Sequence, residues 1–204
     1  MGSLVIISGP SGSGKTSIAR EVCKRIGEDK TYFSISTTTR PPRKGEVNGV
    51  DYFFVSKDEF LKDIQENQFL EWAEVHGNYY GTSLKQIQKA LNEGKIVFLD
   101  IDVQGFESIK KIYPDLITSV FITTPNKTIL IQRLQNRGTE TEDSLKIRLI
   151  NALNEMKKID EYDYLLINDK FEESVELLES IARVSLIKSS KQNLEKFIKE
   201  WNEE

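Results

Sequence analysis

The stretch GPSGSGKTS, Gly9 to Ser17, follows directly on the apolar run Leu4-Val5-Ile6-Ile7, and no other part of the chain restricts its fold so strongly. Gly9, Gly14, Lys15 and Thr16 meet every fixed position of the pattern G-x-x-x-x-G-K-[ST], and the segment lies between an expected strand and an expected helix, where that pattern has a mechanism. Small residues let successive backbone N–H groups point into one concavity at a helix N-terminus, whose dipole favours an anion. The loop residues Gly9, Pro10, Ser11, Gly12, Ser13, Gly14, Lys15, Thr16 and Ser17 are therefore expected to wrap the phosphates of ATP or GTP. Lys15 would bridge the β- and γ-phosphates, and the Thr16 hydroxyl would ligate Mg²⁺. A glycine-rich turn that only joins strand to helix would meet all four positions by chance alone.

Strands and helices alternate around this loop. Strands are expected at Leu4–Ser8, Lys95–Ile101, Ile117–Thr123 and Tyr164–Ile167. Helices are expected at Gly14–Ile26, Gln104–Ile112, Asn126–Asn136 and from Glu172 to about Ile187. Short continuous apolar runs such as Ile96-Val97-Phe98-Leu99 suit strands buried on both faces, so the pattern predicts an α/β fold with a parallel sheet covered by helices. Two segments break the rhythm. Residues 34–83 are rich in Thr, Gly, Tyr and Phe and read as short strands joined by turns at Gly45, Asn48-Gly49 and Gly77-Asn78, a small mixed lobe inserted into the core. Residues 125–163 read as a lid, with Thr139 and Glu142 as a capping box ahead of Leu145, Leu149, Leu153 and Met156. The core then comprises 1–33, 84–124 and 164–188. The tail, 189–204, reads as an amphipathic helix through Leu194, Phe197, Ile198 and Trp201, expected to pack on the body.

At 204 residues this is one folded unit. A formal charge of −4, from 32 acidic against 28 basic side chains without a basic tract, argues against a nucleic-acid partner. Cys23 is the only cysteine, which excludes an internal disulfide and fits a reducing compartment; it reads as a buried, inert thiol. No apolar run is long enough to cross a bilayer, so the expectation is no membrane and a cytoplasmic location.

A phosphate loop does not by itself separate a motor, a switch and a small-molecule kinase. The inserted lobe offers Arg40, Arg43 and Tyr52 within SISTTTRPPRKGEVNGVDYFF and Tyr80 within GNYYGTS. Guanidinium groups grip phosphate at two points and phenols donate a further hydrogen bond, so this set suits a second phosphate monoester. Solvated loop charges are the plainer account of the two arginines. With GPSGSGKT, STTTRPPRKGEVNGVDYFF, FLEWAEVHGNYYGT, LDIDVQG and NRGTETEDSLKIRL in this order, over about Val5 to Asp169, the sequence resembles the guanylate kinases, nucleoside monophosphate kinases with a P-loop NTPase-type core.

The resemblance implies transfer of the γ-phosphate of ATP to GMP, with Mg²⁺, in a core carrying an α+β GMP-binding lobe and a helical lid. It places GMP on Ser36, Arg40, Arg43, Glu46, Tyr52, Glu71, Tyr80, Thr82 and Asp102. Guanine offers donors at N1 and N2 beside an acceptor at O6; Glu71 and Asp102 would accept, Ser36 and Thr82 would donate. Asp100 and Asp102 end the strand IVFLDID on one face at its carboxyl end, where α/β ligands bind. Asp100 would assist Mg²⁺ through water, and Asp102 also suits a helix cap. The resemblance makes Lys15, Arg40, Arg43, Arg137 and Arg148 the catalytic cations, the last two closing over ATP; helix-surface charge is their plainer reading. Asn168, with Asp169, falls near the adenine in relatives. His76, the only histidine, reads as a loop residue. No side-chain nucleophile is required, because the GMP phosphate is itself an anion.

The expected partners are ATP and GMP, with the chain a monomer or homodimer. A guanylate-kinase-like binding module for phosphopeptides is the rival from another class, but such modules lack the working loop that Gly14, Lys15 and Thr16 complete here. A kinase for another phosphorylated sugar or nucleotide would not need both Glu71 and Asp102.

Overall fold

Uninterrupted apolar runs build the sheet that carries the phosphate loop. The computed structural model describes residues 2–43, 45–75, 77–114, 116–136, 142–191 and 193–203. In chain order the elements are β1 (Ser3–Ser8), α1 (Lys15–Ile26), β2 (Thr31–Phe33), β3 (Thr37–Thr38), β4 (Phe53–Phe54), α2 (Lys57–Gln65), β5 (Phe69–Val75), β6 (Asn78–Ser83) and α3 (Leu84–Asn92). There follow β7 (Ile96–Asp100), α4 (Val103–Ile112), β8 (Ile117–Thr123), α5 (Lys127–Gln135), α6 (Glu142–Met156), β9 (Tyr164–Ile167), α7 (Phe171–Ser185) and α8 (Leu194–Asn202).

The first sheet runs β2-β7-β1-β8-β9, all pairs parallel. Alternate residues enter two cores, as strand periodicity requires. Val5, Ile7, Phe98, Val120 and Ile122 meet Ile18, Val22, Val175 and Leu178 of α1 and α7. Leu4, Ile6, Val97, Leu99 and Phe121 meet Ile87 of α3 and Phe106 and Ile109 of α4 on the other face. The expected α/β architecture is the one observed. Cys23 is buried among the α1 residues, and burial pushes its thiol up to about 11, which keeps it a thiol at neutral pH.

The second sheet, β4-β3-β6-β5, lies wholly between Thr37 and Ser83. β3 pairs parallel with β4 and antiparallel with β6, and β5 pairs antiparallel with β6. Its own helix, α2, starts at a full capping box between Ser56 and Glu59 and buries Phe60 against Phe69, 4.4 Å between ring centroids. α5 and α6 pack through Leu130 and Leu134 against Leu145, Leu149 and Ala152. Thr139 and the capping box predicted with it lie outside the described residues.

The tail departs from expectation. Asn193 accepts a hydrogen bond from Lys196 N and starts α8 afresh, so the segment is not one helix from 189. No side chain of α8 is buried; Phe197 is 61% and Trp201 72% exposed. An amphipathic period requires a covering surface without naming it, and among the described residues the body does not supply one. Among the described residues no helix is long and apolar enough to cross a membrane.

Candidate active site

The phosphate loop connects β1 to α1 as its pattern demands. Gly9 has φ of 136° and Gly14 of 91°, a region L side chains rarely enter. A Cβ on Gly9 would stand 2.0 Å from the Ile122 carbonyl oxygen, and one on Gly14 would stand 2.4 Å from Asn168 Nδ2. Glycine is therefore required at both positions for space as well as for conformation. At the start of α1, Thr16 Oγ1 donates to Asp100 Oδ2 at 2.6 Å, and Lys15 Nζ lies 3.9 Å from Asp100 Oδ1. The end of β7 thus meets the helix N-terminus, putting a carboxylate, an ammonium and a hydroxyl at one point.

The loop is braced from behind by Asn168 and Arg133. Asn168 is 3% exposed; its Nδ2 donates to the Ser13 carbonyl at 2.6 Å and its Oδ1 accepts from Ser174 Oγ at 3.2 Å. Each end of the amide makes one bond inside the protein, so Asn168 buttresses the loop from behind. Arg133 adds bonds to the Ser13 and Asn168 carbonyls, at 3.4 and 3.0 Å. Sequence reading missed Arg133, since nothing in its helical surroundings marks it. Arg148, on α6, donates to Ser11 Oγ at 2.6 Å and so does reach the loop. Arg137 lies outside the described residues, as does His76.

A cleft of 440 Å³ brings the loop and the second sheet together. It is lined by Ser11, Gly12, Gly14, Lys15, Thr16, Ser17, Asp100 and Arg148 on one side and by Ser36, Arg43, Glu46 and Tyr52 on the other. Arg20 of α1, also in its wall, donates to the Val50 carbonyl at 2.6 Å and lies 3.7 Å from Asp51, tying core to lobe.

Arg40 stands behind this wall with its guanidinium 5.3 Å from the Tyr52 ring centroid and 5.7 Å from that of Phe54. Tyr80 meets Tyr52 edge-on at 6.2 Å. Both arms of Arg40 are taken by Glu46, at 3.0 and 2.9 Å, and Glu46 also accepts from Arg43 N at 2.7 Å. That fork holds the Glu46 carboxyl below its ordinary value and raises that of Arg40. Glu46 was expected among the GMP ligands; here its carboxylate occupies the arginine fork that a phosphate would use.

A second group lies beside the cleft. Glu71 on β5 accepts from Thr82 Oγ1 at 2.5 Å, and its other oxygen lies over Gly105, which a Cβ would bring to 3.2 Å. Asp102 caps α4 by accepting from Gly105 N at 2.8 Å, so its cap role is realised beside Glu71. Burial raises the Glu71 carboxyl, Asp102 adds to the rise, and the Thr82 bond opposes it. The Thr82 hydroxyl, expected to donate to a base oxygen, instead orients Glu71. The result is a half-buried carboxylate with one oxygen pinned, shaped to accept paired N–H donors.

This geometry agrees with the comparisons. The guanylate kinase family pattern matches residues 1–184. The guanylate kinase of Helicobacter hepaticus is 52% identical over 200 residues, 98% of each chain. That of Wolinella succinogenes is 50% identical over 98% of this chain and 92% of its own. The crystal structure of guanylate kinase from Anaplasma phagocytophilum superposes with a TM-score of 0.78 at 28% identity, covering 98% of this chain and 94% of that one. A pattern over most of the length, and relatives half identical over nearly all of it, leave one assignment: the chain belongs to the guanylate kinase family.

Proposed function

We propose that the chain moves the γ-phosphoryl group of ATP directly onto the phosphate of GMP, giving ADP and GDP, in the cleft between the phosphate loop and the second sheet. The observation that carries this reading is the meeting of Lys15, Thr16 and Asp100 with Ser36, Arg43 and Tyr52 across one 440 Å³ space. Lys15 and the loop N–H groups hold the donor phosphates. Arg40, Arg43, Tyr52 and Tyr80 hold the acceptor phosphate, which displaces Glu46 from the Arg40 fork it keeps aligned. Glu71 takes the N1 and N2 donors of guanine, with Asp102, Ser36 and Thr82 around the base. Arg148, and Arg137 with it, neutralise charge on the phosphoryl group in flight and exclude water. We assign 34–83 as the GMP-binding lobe and 125–163 as the lid, closing on a core that works in the cytoplasm.

Mg²⁺ fits the donor set. Thr16 and Asp100 offer hard oxygens 2.6 Å apart, and among the described residues no group of three His, Cys, Asp or Glu side chains gathers to cage a metal. That suits an ion that keeps most of its waters and takes phosphate oxygens. Bound there, it would neutralise charge on the donor phosphates. This chain's own contribution is orientation: two phosphates brought into line by cations from separate elements.

The test is ADP formation with GMP, AMP, CMP and UMP offered in turn. GMP should exceed the others in kcat/KM by on the order of 10⁴-fold, the discrimination available to a site built to hydrogen-bond its substrate. Equal turnover of AMP would contradict the reading.

A further inference from the structure

Helix α6 carries two stripes. Leu145, Leu149 and Ala152 face α5, while Ser144, Arg148, Asn151 and Glu155, spaced four, three and four apart, line with Ser11 a cleft of 420 Å³ beside the phosphate loop. Arg148 in this stripe already holds Ser11. Glu155, seven residues and so about two turns further along, is half-buried, and among the described residues no donor hydrogen-bonds its carboxylate. Burial pushes its carboxyl up, Lys15 opposes that rise, and Asp102 adds to it. Tyr162 faces Glu155 and Asp102: it is 8% exposed, pinned by stacking on Phe106 at 4.1 Å, and its buried hydroxyl meets that of Ser8 on β1. Among the described residues, the charged and titratable groups that face Glu155 are Lys15 from the loop, Asp102 from the cap of α4 and Tyr162 ahead of β9, with Arg148 of its own helix in the same cleft.

A half-buried carboxylate without a donor costs stability, and a negative charge beside a phosphate site opposes ligand binding. Such a group is accounted for if a cation reaches it during the reaction. We propose that Glu155 is a positioning residue for Lys15: when α6 closes on the loop, its carboxylate takes the lysine ammonium opposite Asp100 and fixes the ammonium's direction on the donor phosphates. The proposal rests on reading the loop as the ATP site. It ties the lysine's geometry to the same helix that delivers Arg148, so closure sets both cations together.

Glu155→Gln keeps shape and removes charge. Its kcat should fall about 10-fold, less than the roughly 100-fold that follows loss of a donor touching the reacting phosphate because Glu155 acts only through the lysine, and a non-hydrolysable ATP analogue should bind more weakly. Tm should stay equal or rise, because a buried lone charge is gone. In a Lys15→Met background the same substitution should no longer weaken binding of that analogue, since Glu155 acts through the lysine. An unchanged kcat in Glu155→Gln, tighter analogue binding, a lowered Tm, or an equal loss in the Lys15→Met background would each overturn the proposal. Wild-type turnover of ATP and GMP, measured alongside, separates the two readings. Its absence would reject the site assignment, whereas normal wild-type turnover with an unaffected Glu155→Gln rejects only the role of Glu155.

Discussion

Replacing Glu71 with Gln probes the base site with almost no change of shape. In the wild type one Glu71 oxygen accepts from Thr82 at 2.5 Å and the other lies over Gly105. In the variant the Thr82 hydroxyl retains the amide oxygen as its acceptor, so the amide NH₂ turns toward guanine and opposes a donor to a donor. A hydrogen bond to a charged group contributes about 1.5–3 kcal/mol, so losing one lowers kcat/KM for GMP by about 10- to 150-fold. ATP binding should hardly change, since Lys15 and Asp100 lie in the other group. Stability supplies an independent sign. Burial raises the folded-state pKa of Glu71 above its unfolded value, so the folded protein binds more protons and stability falls as pH rises through that window. Gln has no such dependence; the variant should melt at a Tm equal to or above the wild type near neutral pH, with the difference shrinking in acid. The assay is kcat/KM for GMP and AMP with circular dichroism as the folding control. A folded Glu71→Gln protein that keeps the wild-type preference for GMP would refute the reasoning.

Asn168→Ala removes the 2.6 Å bond to the Ser13 carbonyl and should cost about 1–3 kcal/mol of stability while weakening ATP binding, read by chemical denaturation and calorimetry. Arg148→Ala should lower kcat by about 100-fold with little effect on GMP affinity; equal effects on both would make the arginine a structural tie to Ser11. Glu46→Gln tests the opposite pH sign. The Arg40 fork depresses the Glu46 carboxyl, so its stabilisation is present above the usual carboxylate range and is lost as pH falls through the depressed value. The Tm advantage of the wild type over Glu46→Gln should therefore be seen at neutral pH and vanish in acid.

The core was legible because strands buried on both faces leave unbroken apolar runs, and the loop because each fixed position has a steric or electrostatic reason. α2 was not, although Ser56-x-x-Glu59 signals its start: only Phe60 is buried, so the helical period carries almost no apolar signal. β2, three residues long, is too short to show a period, and α3, nine residues long with only Ile87 and Ala90 buried, carries too brief an apolar stripe to stand out beside the lobe. At the site, residue types foretold which side chains gather but not how they pair before ligands bind. Glu46 in the Arg40 fork, Thr82 on Glu71 and Asn168 behind Ser13 are contacts between elements that spacing alone does not reveal. Glu155 had a signal, seven residues after Arg148 and therefore on its face of α6. The tail shows the reverse limit, since its period was correct and its expected covering surface was not there.

The central claim is that the phosphate loop performs the transfer while the second sheet reads GMP, and Lys15→Ala tests it most directly. ADP formation from ATP and GMP should fall by at least about 100-fold, as for loss of a charge-stabilising donor. GMP binding by calorimetry should stay within about twofold, as for sites without shared partners. A Lys15→Ala protein that transfers phosphate at the wild-type rate would contradict the account.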